Sequence, residues 1–207
     1  MKLIWHGHSC FSLVTAEGTA VFDPYAPGSV PGLRLPRLKA DAVLCSHGHG
    51  DHSYAEGVAL SGKKPAFTVQ TFPCFHDEAN GGLRGKNLIH VLEAEGLRIA
   101  HLGDLGHMLS QAQLAALGRL DLVMIPVGGY YTIGAETAAA LAKAIGARVT
   151  VPMHYRGATF GYDVIGTVEE FTQRMENVRF ADTNTLDVAE TPPGVVVLRI
   201  MNTENED

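Results

Sequence analysis

Four side chains that bind metal ions are concentrated in the short segment SHGHGDHS: His47, His49, Asp51 and His52. Neutral imidazole and carboxylate groups are ligands of zinc, and also of iron and manganese. In an extended segment, residues two apart project from the same side, so His47 and His49 can bind one ion. Asp51 and His52 follow a glycine that permits a turn, and they can face a second ion. A solvated histidine-rich loop is the alternative, but this density of ligands favours a metal site.

Further aspartates and histidines stand where predicted strands end. Asp23 ends TAVF, His76 follows FTVQTFPCF, Asp104 ends LRIAHLG, and His154 ends RVTVPM. In layered α/β folds the loops that leave strand ends converge on one crevice, so these residues are expected near the HGHGDH segment. Two neighbouring dications need an anion between them, and the Asp104 carboxylate can supply it. The sequence therefore predicts that HGHGDH is half of a binuclear site that later loops complete.

Histidines elsewhere in the chain are weaker site candidates. His8 is a better candidate than His6, although both stand close to the N-terminus of the sequence. His90 and His101 lie inside predicted strands without a matching partner, and we expect them to be structural. The alternative for His8 is also structural, because a buried histidine near a strand is usually satisfied by hydrogen bonds.

The elements that must position these residues are strands in the first half and strands alternating with helices in the second. Short apolar or alternating runs predict the strands KLIWH, CFSLVT, TAVFDP, DAVLCS, AFTVQTF, NLIHVLEA, LRIAH, LDLVMIPV, ARVTVPM and GVVVLRI. Helices are predicted in SQAQLAAL, AETAAALAKAI and TVEEFTQRME, the first and third with a capping box and the third ending near Asn177. This order predicts a mixed sheet system with helices on its outer faces, in one domain over residues 1–207.

Composition and charge narrow the classes of partner. The 207 residues are 46% hydrophobic and 18% charged, which is enough apolar material for a packed core. The formal net charge is −6 and the longest basic cluster is GKK, so we expect neither nucleic acid nor a membrane surface as a partner. The cysteines are isolated, and we find no signal peptide or membrane span, so we expect a cytoplasmic protein with reduced thiols. We expect its partner to be a small-molecule substrate. Nothing in the sequence specifies the oligomeric state.

The motifs together resemble those of the metallo-β-lactamase-fold hydrolases. SHGHGDHS resembles the family's H-x-H-x-D-H motif, and the later motifs follow in order as FHDE, HLGDLGH and VPMHY. The resemblance covers nearly the whole chain and implies a four-layer αβ/βα sandwich of two mixed β-sheets with helices on the outer faces. It implies two metal sites bridged by Asp104, a first with His47, His49 and His76, and a second with Asp51, His52 and His154. Asp23 resembles the family's aspartate that orients the ligands, and His8 is assigned to the same supporting role.

One branch of this family is closest in its motifs. The opening WHGHSCF and the segments HLGDLGH, IPVGGYYTI and VPMHY resemble the branch that includes ascorbate-6-phosphate lactonases and N-acylphosphatidylethanolamine phospholipase D. The resemblance implies two divalent metal ions, zinc before manganese or iron, and a metal-bridged hydroxide that attacks a small ester, lactone or phosphodiester.

Two alternatives stand beside this hydrolase. One is a metal-binding protein without turnover, either a sensor or a degenerate family member, and the other is a diiron redox protein. The complete set of expected ligands counts against the first alternative. His49 counts against the second, because redox members usually carry glutamate at that position of the motif.

Residues for catalysis and substrate binding are assigned from their places beside the ligands. Asp51 or Asp104 is expected to orient the hydroxide, and His107, three residues after Asp104, is a candidate proton donor to the leaving group. We expect an anionic substrate, held by an arginine fork at the mouth of the pocket. The candidate substrate contacts, each of which is also compatible with an ordinary loop role, are Arg84, Tyr130, Tyr131 and Arg156.

Overall fold

The hydrophobic core lies between two β-sheets in the part of the chain that the computed structural model describes, residues 1–204. The strands are β1 (Lys2–Trp5), β2 (Phe11–Thr15), β3 (Gly18–Phe22), β4 (Leu38–Ala40), β5 (Ala42–Leu44), β6 (Val58–Leu60), β7 (Thr68–Phe75), β8 (Lys86–Ala94), β9 (Leu97–His101), β10 (Leu122–Pro126), β11 (Val149–Met153), β12 (Val178–Phe180), β13 (Thr185–Asp187) and β14 (Gly194–Val197). The α-helices are α1 (Gln111–Leu117), α2 (Ala135–Ile145) and α3 (Val168–Thr172), and a short 3-10 turn covers Ala55–Gly57.

The first sheet has five strands in the order β13-β1-β2-β3-β5. Its first three pairings are antiparallel, whereas β5 runs parallel to β3. Side chains of a strand alternate between its faces, so Phe22 enters the core between the sheets while Val21 packs on the outer side. The buried residues on this outer side include Tyr25 and residues of β4 and β6. Strands β4 and β6 form a separate two-stranded sheet. Because β3 and β5 are parallel, the residues that follow them, Asp23 and His47, come to one edge.

The second sheet has seven strands in the order β12-β14-β11-β10-β9-β8-β7. Strands β12, β14, β11, β10 and β9 are parallel to one another. Strand β8 is antiparallel to both β9 and β7, so β7 runs in the same direction as β9. Strands that run the same way end at the same edge of a sheet. His76 after β7, Asp104 after β9 and His154 after β11 therefore share one edge.

The first two helices begin and end as the sequence predicts. Ser110 and Gln113 form the predicted capping box of α1, with Ser110 N donating to Gln113 Oε1 at 3.0 Å and Gln113 N donating to the Ser110 hydroxyl at 3.3 Å. Helix α2 ends at Gly146, whose φ of 64° is the left-handed conformation that glycine adopts readily. Helix α2 packs against α3 and β10 and so covers the second sheet.

The third helix is shorter than predicted. The expectation that it reaches Asn177 is wrong, because α3 ends at Thr172. Past that point the chain tightens into turns with i→i−3 hydrogen bonds, in which Arg174 N donates to Phe171 O at 3.0 Å. The fold class itself is confirmed as an α/β sandwich of mixed sheets. Within residues 1–204, no helix has the length and apolar character that a membrane crossing requires.

Candidate metal centre

The structure brings all seven predicted metal-ligating residues together at the shared edge of the sheets. Their ligand atoms fall into three overlapping groups, in each of which all atoms lie within 4.8 Å of one another. The groups are first His47, His49 and His76, second His47, His52 and Asp104, and third His8, Asp51, His52 and His154. The shared members, His47 and His52, make the three groups one continuous cluster.

Asp104 lies at the centre of this cluster. Its Oδ2 is 3.2 Å from the Nε2 atoms of His52, His76 and His154. The same oxygen is 4.0 Å from Nε2 of His47. Two ligands bound at about 2.1 Å to one tetrahedral ion are about 3.4 Å apart, so these separations suit ligands that share metal ions. One carboxylate therefore contacts histidines from all three groups.

Acceptors behind the cluster fix the tautomers of two histidines. His52 Nδ1 lies 2.8 Å from Asp23 Oδ2, and it carries the proton because a carboxylate only accepts. Asp23 also accepts from the backbone N–H of Ser46 at 2.7 Å and from its hydroxyl at 2.6 Å. Since the Ser46 hydroxyl proton goes to Asp23, its oxygen accepts from His47 Nδ1 at 2.9 Å. Both rings therefore direct Nε2 into the cluster, where it is the ring nitrogen available to bind a metal ion.

His76 and Asp104 are held by similar contacts. His76 Nδ1 donates to the carbonyl oxygen of Tyr131 at 3.1 Å, which leaves its Nε2 free to face Asp104. Asn87 Oδ1 accepts from the backbone N–H of Asp104 at 2.9 Å, and Asn87 Nδ2 donates to Leu102 O at 2.8 Å. Histidines that bind metal ions are commonly oriented by such acceptors on the opposite ring nitrogen.

Burial and the carboxylates set the charges of the cluster. Burial lowers the pKa of His47 to about 3 and the pKa of His8 to about 4, so both rings are neutral at pH 7. Burial acts against the charge of Asp104, but His154 and His52 outweigh it and hold the Asp104 pKa well below its usual value. Burial likewise disfavours a charged His52, but the Asp104 and Asp23 carboxylates raise its pKa well above normal. The cluster is therefore an environment that attracts a cation.

Several polar atoms of the cluster have no hydrogen-bond partner among the described residues. Three such buried atoms are His47 Nε2, His52 Nε2 and Asp104 Oδ1. A buried polar group without a partner costs about 1–3 kcal/mol, and bound cations would be partners for these atoms. Imidazole nitrogens with carboxylate oxygens are the donor set of zinc, and also of manganese and iron. The residues therefore fit bound metal ions.

Two glycines on either side of Asp104 allow close packing of its loop. Gly103 has a φ of 56°, and a Cβ there would lie 2.4 Å from the Ser46 Cβ. A Cβ at Gly106 would lie 2.3 Å from the carbonyl carbon of His76. Glycine at these positions lets the Asp104 loop approach both segments that carry the histidines.

A cavity of about 310 Å³ opens at the cluster. It is lined by His49, Asp51, His76, Arg84, Asp104, Tyr131, His154 and Tyr162. The Arg84 guanidinium lies 5.7 Å from the centre of the Tyr131 ring, within the range of a cation–π contact. The Tyr162 hydroxyl lies 3.2 Å from Asp51 Oδ2. Arg84 and Tyr131, two of the predicted substrate contacts, are thus beside the metal-binding residues.

The loop that carries Arg84 is closed by Asp77. The buried Asp77 carboxylate accepts from the backbone N–H groups of Ala79 at 2.8 Å and Gly81 at 2.9 Å. It also accepts from those of Leu83 at 3.1 Å and Arg84 at 2.7 Å. Four hydrogen bonds to one carboxylate fix the loop against the end of β7 and so hold Arg84 at the cavity.

Arg156 lies away from this cavity, contrary to the expectation that it holds the substrate. It lines a different cavity, and its Nε donates to Ile165 O at 2.9 Å. The expectation assumed that residues two apart along a strand share a face. His154 has a φ of 53°, so the chain turns there and that alternation ends.

His107 and Tyr130 also lie outside the lining of the cavity. His107 Nε2 accepts from the backbone N–H of Phe75 at 3.2 Å, and Nδ1 donates to Met108 O at 2.9 Å. With both ring nitrogens engaged, His107 does not have the placement expected of a proton donor. Tyr130 is 64% exposed and lines a neighbouring cavity with Tyr131.

Four residues that support the site are not apparent from the sequence alone: Ser46, Asp77, Asn87 and Tyr162. Ser46 and Asp77 each adjoin a predicted ligand, and this adjacency is a signal that could have found them. Asn87 and Tyr162 lie far along the chain from the residues they contact, so no local pattern marks them. Only the assembled fold brings them to the cluster.

An α/β sandwich of mixed sheets with a histidine and aspartate cluster at its edge defines a class, the metal-dependent hydrolases of the metallo-β-lactamase fold. The family model described as the beta-lactamase superfamily domain matches residues 2–154. The chain belongs to this superfamily.

Similar proteins are described as metal-dependent hydrolases. A metal-dependent hydrolase from Methanoculleus marisnigri is 30% identical over 230 aligned positions, which cover 94% of this chain and 95% of that protein. Another from Thermoplasma acidophilum is 29% identical over 188 positions, 75% of this chain and 83% of that protein. A Thermotoga maritima structure, described as a zinc-dependent hydrolase of the metallo-beta-lactamase superfamily, has 32% identity and a TM-score of 0.77, with 97% of this chain and 99% of that chain covered. The chain is thus a metal-dependent hydrolase by family.

Proposed function

We propose that this hydrolase holds two divalent metal ions, zinc foremost, and cleaves a small anionic ester, lactone or phosphodiester. The observation that carries the proposal is the position of Asp104, whose Oδ2 is 3.2 Å from the Nε2 atoms of His76 and His154. His76 belongs to the ligand group of His47 and His49, whereas His154 belongs to the group of Asp51. A carboxylate between two such groups can bridge two ions and neutralise part of their charge.

The ligands divide between the two proposed ions. The first ion would be held by His47, His49 and His76, and the second by Asp51, His52 and His154, with Asp104 bound to both. When bound, these ions supply a hydroxide nucleophile at neutral pH and polarise the carbonyl or phosphoryl oxygen of the substrate.

The residues of the chain position the reactants. Asp51 lines the cavity, and its carboxylate can accept a hydrogen bond from the nucleophile and so orient it. Burial opposes the charge of Asp51, but the His8 and His52 contacts outweigh burial and lower its pKa, so it is ionised at neutral pH. The Tyr162 hydroxyl lies 3.2 Å from Asp51 Oδ2, and its single proton is shared between that carboxylate and the carbonyl oxygen of Ser29.

Cavity size and charge support a small anionic substrate. The volume of about 310 Å³ is at the lower end of the range for small-molecule sites. Among the described residues, Arg84 is the one arginine that lines this cavity. The Tyr131 ring beside it limits the positions that its guanidinium can take. A guanidinium fork can bind a carboxylate or phosphate with two parallel hydrogen bonds. We therefore transfer the role proposed for Arg156 to Arg84.

The test combines metal analysis with a substrate panel. Purified protein is loaded with zinc or manganese, desalted, and assayed against matched ester, lactone, phosphodiester and thioester substrates with and without a negative charge. Two ions per chain with turnover of an anionic substrate would support the proposal. Two ions without turnover of any class would favour a metal-binding protein, and iron with a redox response would favour the diiron alternative.

A further inference from the structure

His8 is a buried histidine with unused ring nitrogens beside the proposed second metal site. Its side chain is 0% exposed, and neither Nδ1 nor Nε2 has a hydrogen-bond partner in the described residues. Burial of an imidazole without partners is unfavourable, so such a group calls for a ligand. Apart from its contact with Asp51, neither the fold nor the proposed mechanism uses this ring.

The ring of His8 is aimed into the ligand group of the second ion. Its Nε2 is 3.3 Å from Asp51 Oδ2, and its ring centre is 4.1 Å from that of His154 and 5.1 Å from that of His52. The ligand atoms of these four residues lie within 4.8 Å of one another. The 3.3 Å separation is close to the roughly 3.4 Å expected between two ligands of one tetrahedral ion.

The backbone fixes this position. His8 adopts a φ of 50°, in the left-handed region. This conformation is unfavourable for any residue other than glycine, because its side chain crowds the backbone. Its carbonyl oxygen accepts from Trp5 Nε1 at 3.1 Å and from the backbone N–H of His154 at 3.3 Å. The strained turn therefore directs the imidazole at the cluster and ties it to the segment that carries His154.

We propose that His8 Nε2 is an additional ligand of the metal ion held by Asp51, His52 and His154. The inference rests on the proposed binuclear function, and it makes the two sites unequal. The second site gains a fourth ligand besides the bridging Asp104, whereas the first has three. The second ion should therefore bind more tightly, and the first should exchange more easily.

Two variants remove the ring nitrogens in different ways. His8→Phe keeps the volume of the ring, and His8→Asn keeps a residue that tolerates positive φ but is too short to reach the ion. The matched control is His90→Asn. His90 is 5% exposed and lies outside the cluster, with its ring nitrogens 3.2 Å from Thr71 Oγ1 and 3.0 Å from Cys45 O.

The measurement is a zinc titration against a chelating competitor, together with the visible absorption of the cobalt(II)-loaded protein. We expect the parent protein to bind two ions with different affinities. Each His8 variant should weaken one ion by about tenfold or more, leave the other unchanged, and alter the cobalt spectrum. The His90 variant should match the parent in all three respects.

A second measurement separates a ligand from a structural residue. In excess chelator, the His8→Phe variant should unfold close to the temperature of the parent, because it keeps the volume of the buried ring and neither ring nitrogen has a hydrogen-bond partner among the described residues. A variant that lowers that temperature while leaving both metal affinities intact would overturn the inference and show that His8 supports the fold. Failure of the parent protein to bind two ions would instead overturn the binuclear function.

Diffraction from zinc-loaded parent protein decides the matter if both variants fail to fold. We expect His8 Nε2 at about 2.1 Å from one ion, the usual zinc–nitrogen distance. A ring that points away from both ions would refute it, even where the other seven ligands are in place.

Discussion

At the scale of the residue, the site depends on buried polar side chains, each of which is oriented by a hydrogen-bond partner. Asp23 holds His52 directly at 2.8 Å and holds His47 through the Ser46 hydroxyl. The Asp23 carboxylate thus orients two candidate ligands through the ring nitrogens that face away from the cavity, and it does not line the cavity itself. The sequence could predict which residues gather at this edge, because each of these residue types is a known metal ligand and each stands at a strand end. It could not predict Ser46 as a relay, since serine is compatible with many other roles.

Replacement of Asp104 should weaken both metal ions. The Asp104→Ala variant removes the carboxylate whose oxygen contacts His52, His76 and His154, so neither proposed site keeps its shared anion. We expect each metal affinity to fall at least tenfold and hydrolysis to fall to background. Metal content after dialysis, with the exposed Asp163→Asn as control, measures this. Loss of one ion with the other unaffected would show that Asp104 is a terminal ligand.

Replacement of Arg84 should affect binding rather than chemistry. The Arg84→Ala variant should raise KM for anionic substrates by about tenfold, equivalent to about 1.4 kcal/mol, with little change in kcat. Neutral substrates of equal size should respond weakly. Arg156→Ala is the matched control, because Arg156 lines a different cavity, and it should leave both classes unchanged. An equal response of anionic and neutral substrates to Arg84→Ala would contradict the proposed role.

At the scale of the element, the strand ends determine where the ligands meet. Long runs with clear apolar character, such as β8 and β10, are predictable because burial imposes their pattern. Four short strands, β4, β6, β12 and β13, are not predictable, since three residues alone hold no recognisable alternation and depend on their partners. The equally short β5 was predictable because it lies within the longer apolar run DAVLCS. The Arg156 expectation failed for a related reason. The φ of 53° at His154 is a local backbone feature that strand periodicity does not reveal.

Close packing between the Asp104 loop and the end of β7 should be sensitive to a single methyl group. In Gly106→Ala the new Cβ would lie 2.3 Å from His76 C and Asp77 N, so the two segments must separate. We expect a loss of about 1–3 kcal/mol in the free energy of unfolding, and weaker metal binding through His76. Gly134→Ala is the control, because its nearest atom would be 3.9 Å away. Equal stability of the two variants by urea unfolding would contradict the packing argument.

At the scale of the whole molecule, the hydrophobic core and the candidate metal site occupy different places. The main hydrophobic cluster lies between the sheets and draws on both of them, whereas the ligands lie at their edge. The overall sandwich was predictable because strand order and motif order agree. The covering of the first sheet by Tyr25 and the β4-β6 pair was not, since it depends on a long loop without periodicity.

Removal of the metals should leave the fold intact. We expect excess chelator to abolish hydrolysis and lower the melting temperature, while the far-ultraviolet circular dichroism at 25 °C stays unchanged. A ligand at 100 times its dissociation constant adds about 2.7 kcal/mol, which is a fraction of the stability of a typical domain. Activity should return when zinc or manganese is added back. Unfolding in chelator at 25 °C would show that the ions, rather than the core, hold the sheets together.

In the proposed function, Asp104 joins two metal ions in one site. Anomalous diffraction from zinc-loaded protein, collected on both sides of the zinc absorption edge, tests it most directly. We expect two peaks per chain, one beside His47, His49 and His76, the other beside Asp51, His52 and His154, with the Asp104 carboxylate bound to both. A single peak at full zinc loading, or two peaks of which Asp104 contacts only one, would contradict it.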